Sequence, residues 1–194
     1  RGKAVGPIYT FTSVEISEDT PPSSGAGSGT PETPSGYTLV YTADWSSSTD
    51  GWSSSASVAQ VTGDVDTVSD DNSLVLNNVL EASRTASHTI TAFWVSKNMA
   101  ITLGFNLQGN GKTYIVVADV LVPSSNDVIS IGAIRFGSLQ DIEVQNLTQG
   151  EWYRTTTSPS SFNISSNLYV YGTNPGSDTD DKYYVGNLWL YESN

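Results

Sequence analysis

Short stretches in which apolar and polar residues alternate recur along the chain from Tyr37 onward, separated by Gly, Asn, Asp, Pro and Ser. The alternation is clearest around Leu39 and Tyr41, in residues 101–107 and in residues 128–136. A period of two places successive side chains on opposite faces of a half-buried β-strand. The pattern predicts strands near residues 37–44, 56–62, 73–78, 84–95, 99–107, 112–122, 127–136, 140–146, 151–157, 166–172 and 182–191.

Helical patterns are scarce in the same part of the sequence. Residues 78–87 and 138–147 are the only candidate helices, and both are short and weakly patterned. The turn formed by Gly109, Asn110 and Gly111 joins two predicted strands at hairpin spacing. Many short strands without convincing helices predict an all-β fold, a two-sheet antiparallel β-sandwich of jelly-roll type.

The first 36 residues differ in composition from the rest of the chain. Residues 1–19 contain one strand-like stretch with Tyr9 and Phe11 as apolar positions, which we interpret as a strand remnant or an anchor segment. Residues 20–36 read TPPSSGAGSGTPETPSG, a low-complexity stretch that Pro stiffens and Gly loosens. We therefore predict an extended linker over residues 20–36 and a β-sandwich over residues 37–194, which we expect to fold without the first 36 residues.

Charge narrows the range of partners. The formal net charge is −12, with only eight Lys and Arg residues, and no basic cluster is present, so a phosphate backbone would be repelled and nucleic acid is a poor partner. No apolar run approaches the ~18 residues of a membrane-spanning helix, which argues against a membrane partner. The sequence contains no cysteine, which excludes disulfides and thiolate metal sites.

Five stretches of the predicted domain, taken in order, resemble one known group of proteins. They read DWSSSTDGW at 44–52, NSLVL at 72–76, YIVVADVLV at 114–122, GEWY at 150–153 and YVGNLWLY at 184–191. Together they resemble the jelly-roll carbohydrate-binding modules, galactose-binding-like β-sandwiches attached to bacterial glycoside hydrolases and to phage fibre or virion proteins. The resemblance implies a non-catalytic domain, outside the cell or on a virion surface, that binds a glycan or cell-surface polysaccharide. Gly186 and Asn187 stand where that family commonly has an Asp, which weakens the case for its structural calcium.

Aromatic and amide side chains in the predicted strands are candidates for sugar contacts. Sugars present flat C–H faces that stack on Trp and Tyr, while planar polar groups bind the hydroxyls. Tyr169 and Tyr171 share one face of a predicted strand, opposite Leu168 and Val170. The candidate ligand-binding residues are Asn106, Gln108, Asp119, Arg135, Tyr169 and Tyr171. The alternative is that strand aromatics only complete the core, because they are good β-formers.

Asp119 is a charge in the middle of an apolar strand. The strand's two faces carry Tyr114, Val116, Ala118 and Val120 on one side and Ile115, Val117, Asp119 and Leu121 on the other. Since burying a charge without a partner is costly, we expect the first set to face the core. Asp119 is then expected to be exposed at the ligand face.

Catalysis and metal binding have weak signals in the sequence. His88 is the only histidine, so no nucleophile–base pair is evident, and we expect that the protein is not an enzyme. Asp64, Asp66, Asp70 and Asp71 form a candidate calcium loop, with an ordinary solvated turn as the alternative.

Two functional hypotheses follow. The first is a glycan-binding module on a linker, within a larger surface or phage-fibre protein. The second is a structural or decoration module of a virion or surface appendage, packed as a homo-oligomer or against a parent particle. An exposed row of aromatics would favour a ligand, whereas a flat, apolar, buried patch would favour a protein partner.

Overall fold

Ten strands and one short helix make up the described part of the chain. A computed structural model describes residues 26–27, 29–54, 59–84, 92–125, 130–137, 149–173 and 181–194. The elements are β1 (Tyr37–Thr42), β2 (Ser53–Ser54), β3 (Ala59–Ser69), β4 (Val75–Arg84), β5 (Ala92–Asn98), α1 (Met99–Leu103), β6 (Tyr114–Leu121), β7 (Ser130–Phe136), β8 (Tyr153–Thr156), β9 (Asn167–Thr173) and β10 (Lys182–Ser193). The predicted anchor segment 1–19 and the candidate helix 138–147 lie outside the described residues.

The strands form two antiparallel sheets. The large sheet has the order β3-β4-β10-β6-β8, with β1 also paired to β10, and the small sheet has the order β2-β5-β9-β7. This arrangement confirms the predicted all-β sandwich. Within the described residues, no helix is both long and apolar enough to cross a membrane.

The core lies between the sheets and follows the predicted alternation. Tyr114, Val116, Ala118 and Val120 of β6 point inward, which confirms the prediction for this strand. On the small sheet, the core residues come from alternate positions of three strands: Phe93, Val95, Ile134, Phe136, Leu168 and Val170. Burial of these side chains is the main source of stability for such a fold.

The outer face of the large sheet is also covered. Ala26 is only 6% exposed and packs in a cluster with Leu76 and Trp152. Gly27 adopts a left-handed backbone with φ 74°, and a Cβ there would lie 3.0 Å from a Leu76 methyl carbon, so the close approach requires glycine. The Tyr191 hydroxyl donates to the Pro31 carbonyl at 3.5 Å. Ala26 and Gly27, which lie within the predicted linker, therefore pack against the sandwich.

The predicted strand over residues 99–107 is wrong. This segment begins with helix α1, because the Asn98 side chain accepts hydrogen bonds from the Ala100 and Ile101 N–H groups at 3.0 and 3.3 Å. Gly104, with φ 78°, ends the helix in the left-handed conformation. Ile101 is 82% exposed and Phe105 is 45% exposed, so their alternation does not mark a buried face.

The candidate helix at residues 78–87 is also wrong in its described part. Residues 78–84 belong to β4, which pairs with β3 on one side and with β10 on the other. Pairing with these two strands determines which side chains of β4 point toward the core. The local sequence pattern does not reveal that pairing.

Candidate functional site

The outer face of the small sheet brings aromatic side chains from two strands together. Leu168 and Val170 are fully buried, so Tyr169 and Tyr171 of β9 point away from the core, as predicted. Tyr171 pairs with Trp94 of β5, and Tyr169 pairs with Arg135 of β7. We call the four residues Trp94, Arg135, Tyr169 and Tyr171 the aromatic face; all four are partly exposed.

Tyr171 lies at the centre of the aromatic face. Its ring centroid is 5.4 Å from that of Trp94 and 5.7 Å from that of Tyr169, with interplanar angles of 31° and 40°. The guanidinium carbon of Arg135 lies 4.2 Å from the Tyr171 ring centroid, in the range of a cation–π contact. Three side chains thus surround one ring, which fixes their relative positions.

The Tyr171 hydroxyl can both donate and accept hydrogen bonds at neutral pH. Burial raises the pKa of Tyr171, and the positive charge of Arg135 opposes that rise only in part. Tyr171 therefore remains a neutral phenol. The Asn167 side-chain amide donates to the Tyr169 hydroxyl at 3.0 Å, which orients the outer end of that side chain.

Sequence reasoning missed Trp94 as part of the site. Phe93 and Val95 are buried, so Trp94 and Ser96 point to the outer face of β5. Because Phe93, Trp94 and Val95 are all apolar, the sequence does not show which of them points outward. The pairing of Trp94 with Tyr171 is a contact between distant parts of the chain, and only the sheet order reveals it.

Asn106 and Gln108 lie at one end of the sandwich. Ser166, whose side chain is buried just before β9, donates to the Asn106 side chain at 3.1 Å, and the Gln108 amide donates to the Ser166 hydroxyl at 3.5 Å. Asn106 also accepts from the Gln108 backbone at 3.0 Å. These bonds fix the loop after α1 to the start of β9, and the structure does not place either side chain on the aromatic face.

The expectation that Asp119 is exposed is wrong. Its side chain is 0% exposed and forms an ion pair with Arg154, with a 2.7 Å contact to Nε and a 2.9 Å contact to Nη2. The Asn187 amide donates to the same carboxylate at 2.7 Å, and the Gly27 N–H donates at 3.2 Å. The prediction that Asp119 points away from the core was correct. The outer face of the large sheet is covered there, however, so protein groups and not water surround the charge.

The candidate calcium residues divide into two groups. Asp70 accepts from the backbone N–H groups of Asn72, Leu74 and Trp152 at 2.8 to 3.1 Å, so it stabilises the turn between β3 and β4 and the position of Trp152. Asp64 and Asp66 lie within β3 instead of a loop, and their side chains are outside the described residues. Among the described side chains, Asp71 included, no three His, Asp or Glu side chains gather to hold a metal. Calcium binding stays a prediction.

His88 lies outside the described residues. The expectation that the protein is not an enzyme therefore also stays a prediction.

No protein-family model and no curated protein sequence matches this chain. Among solved structures, the CBM22-1 xylan-binding domain of Paenibacillus barcinonensis Xyn10C is 9% identical with a TM-score of 0.49, over 83% of this chain and 98% of that domain. The arabinose-bound MgGH51 α-L-arabinofuranosidase is 14% identical with a TM-score of 0.51, over 73% of this chain and 23% of that enzyme. A Stig cyclase from Fischerella is 13% identical with a TM-score of 0.48, over 87% of this chain and 94% of that chain.

The likeness to the arabinofuranosidase establishes the fold, at an identity too low to carry more. The predicted two-sheet β-sandwich is thereby confirmed.

Proposed function

We propose that this chain is a non-catalytic, glycan-binding module and that the aromatic face is its binding surface. The observation that carries the proposal is the grouping of Trp94, Tyr169 and Tyr171 around one another on the outer face of the small sheet, with Arg135 beside them. Aromatic rings offer the apolar faces on which sugar C–H groups stack, and neighbouring polar groups bind the hydroxyls.

Part of the outer face of the large sheet is already covered. That part is occupied by Ala26, Gly27 and the buried pair of Asp119 and Arg154. Arg154 also lies 4.9 Å from the ring centroid of Trp189, whose side chain is buried. A ligand would have to displace packed residues there, whereas the aromatic face is already partly exposed.

The geometry gives the three rings different roles. Tyr171 has Trp94, Tyr169 and Arg135 around it, so it supports the arrangement and contributes chiefly through its outer edge and hydroxyl. Trp94 and Tyr169 flank it and have fewer neighbours among the face residues. They are expected to provide most of the stacking surface for two adjacent sugar units.

A glycan array with the intact chain, followed by titration calorimetry with Tyr169→Ala, tests the proposal. Loss of a stacking ring from a binding site costs about 1–3 kcal/mol of binding. Tyr37→Ala is the matched control, because Tyr37 is a partly exposed tyrosine on the large sheet. Equal affinity of wild type and Tyr169→Ala for the best array ligand, with both folded, would contradict the proposed surface.

The parent protein's location and assembly form part of the same proposal. A module on an N-terminal extension suits an extracellular or virion-surface protein, where it would hold a larger protein on a polysaccharide. The competing function, a structural module that packs against copies of itself, would bury the aromatic face in an interface. Sedimentation separates the two, since self-association that Trp94→Ala abolishes would favour the structural module.

A further inference from the structure

Arg135 differs from the other basic side chains that the structure describes. Arg84, Lys97, Arg154 and Lys182 each have a carboxylate partner. Lys112 donates to the backbone carbonyl of Ser193 at 2.8 Å. Among the described residues Arg135 forms no ion pair, although the protein has 20 acidic residues to its eight basic ones.

The environment of Arg135 leaves hydrogen-bonding capacity unused. Its Nε is buried and has no hydrogen-bond partner. A guanidinium carries five N–H donors in a rigid planar fork and a positive charge. The Tyr171 ring lies 4.2 Å away and stacks on this group, and the Tyr171 hydroxyl forms a hydrogen bond with it, but neither supplies the counter-charge of a carboxylate.

We propose that the aromatic face binds an acidic glycan and that Arg135 pairs with the carboxylate of a uronic acid unit. The proposal rests on the function proposed above and names the ligand class for that surface. A planar carboxylate matches the guanidinium fork and forms charge-assisted hydrogen bonds, the strongest that this side chain makes. The neighbouring ring of Tyr169 would stack on the sugar that carries the carboxylate.

The net charge of −12 does not prevent such binding. Charges separated by more than ~8 Å are largely screened at physiological ionic strength. Arg135 is the one charged member of the aromatic face.

Calorimetric titration of the full chain with oligogalacturonate and with its methyl ester provides the test. The ester has the same sugar rings without the charge, and a sulfated galactose oligosaccharide serves as a second anionic probe. The variants are Arg135→Gln and, as the matched control, Lys112→Gln, which removes a cation far from the face. Circular dichroism and melting temperature establish that each variant is folded.

The proposal predicts that wild type binds the uronate about 10- to 100-fold more tightly than the ester, the worth of a charged hydrogen-bonded pair. Arg135→Gln should bring the uronate and ester affinities within about twofold of each other, while Lys112→Gln should keep the wild-type preference for the uronate.

Equal affinity for uronate and ester, or binding of the sulfated probe alone, would overturn the acidic ligand. If wild type binds uronate and ester equally and Tyr169→Ala weakens the binding of both, the acidic ligand is wrong but the aromatic face is still the glycan-binding surface. Failure of all probes and of the array would overturn both.

Discussion

The Asp119→Ala variant removes a carboxylate that accepts four hydrogen bonds on the outer face of the large sheet. Two come from Arg154, at 2.7 and 2.9 Å, one from Asn187 at 2.7 Å and one from the Gly27 N–H at 3.2 Å. The substitution removes the Asp119 carboxylate from beside the Arg154 guanidinium, whose side chain is only 12% exposed. Loss of a charged partner in such a place is expensive, since solvent has little access to replace it.

Removing one member of a buried ion pair typically costs about 3–5 kcal/mol. In a chain of this size each kcal/mol lowers the melting temperature by about 2–4 °C, so we expect a fall of about 6–20 °C. Urea unfolding followed by tryptophan fluorescence gives the free energy directly. Asp44→Ala is the control, because Asp44 is exposed and bonds only locally to Ser46.

A second variant separates loss of the charge pair from loss of packing. Asp119→Leu combined with Arg154→Met removes both charges, and it should recover part of the stability lost in the single alanine variant. Glycan affinity should be unchanged in every folded variant, because the aromatic face lies on the other sheet. A loss below about 1 kcal/mol together with lost glycan binding would refute the buried-pair account and restore Asp119 as a ligand contact.

Deletion of residues 1–36 should lower the free energy of unfolding by about 2–4 kcal/mol, because it removes the buried Ala26 methyl and the Gly27 hydrogen bond to Asp119. An unchanged melting temperature would show instead that residues 1–36 form an independent linker. Burial and the hydrogen bond to Glu192 raise the pKa of Tyr114 to about 12. Unfolded tyrosine ionises near pH about 10, so this stabilisation is present below pH about 10 and is lost as pH rises toward about 12. Tyr114→Phe should flatten that decline in urea unfolding, and parallel pH profiles for both proteins would contradict it.

The sequence was sufficient to predict which side chains of a single strand point toward the core and which point away from it. Leu168 and Val170 are strongly apolar and alternate with Tyr169 and Tyr171, so the outward direction of the tyrosines follows from a period of two. The same reasoning placed Val116 on the core side of β6. Local alternation is sufficient wherever one face of a strand is clearly more apolar than the other.

Exposure of the opposite face was not predictable, because it depends on distant residues. Asp119 points away from the core, as predicted, but two distant residues cover it there. Gly27 lies 92 positions away in the chain and Arg154 lies 35 positions away, and both donate hydrogen bonds to its carboxylate. Trp94 joins the site for a similar reason, through pairing of β5 with β9. A sequence pattern cannot report which strands become neighbours in a sheet.

Helix α1 shows a conflict between two local signals. The alternation of Ile101 and Phe105 favoured a strand, whereas Asn98 and Gly104 are at the spacing of an N-cap and a helix-ending glycine. The caps prevailed because they satisfy backbone groups directly, while Ile101 and Phe105 remain exposed.

The ratio of glycan affinities of wild type and Trp94→Ala is the most direct test of the aromatic face as the binding surface. Trp94 is partly exposed and its neighbours Phe93 and Val95 hold β5 to the core, so the variant should fold with a similar melting temperature. Calorimetry with the best ligand from the array should show affinity weakened by about 5- to 150-fold, corresponding to about 1–3 kcal/mol. Unchanged affinity in the folded variant would contradict the account, because the glycan would then bind away from this face.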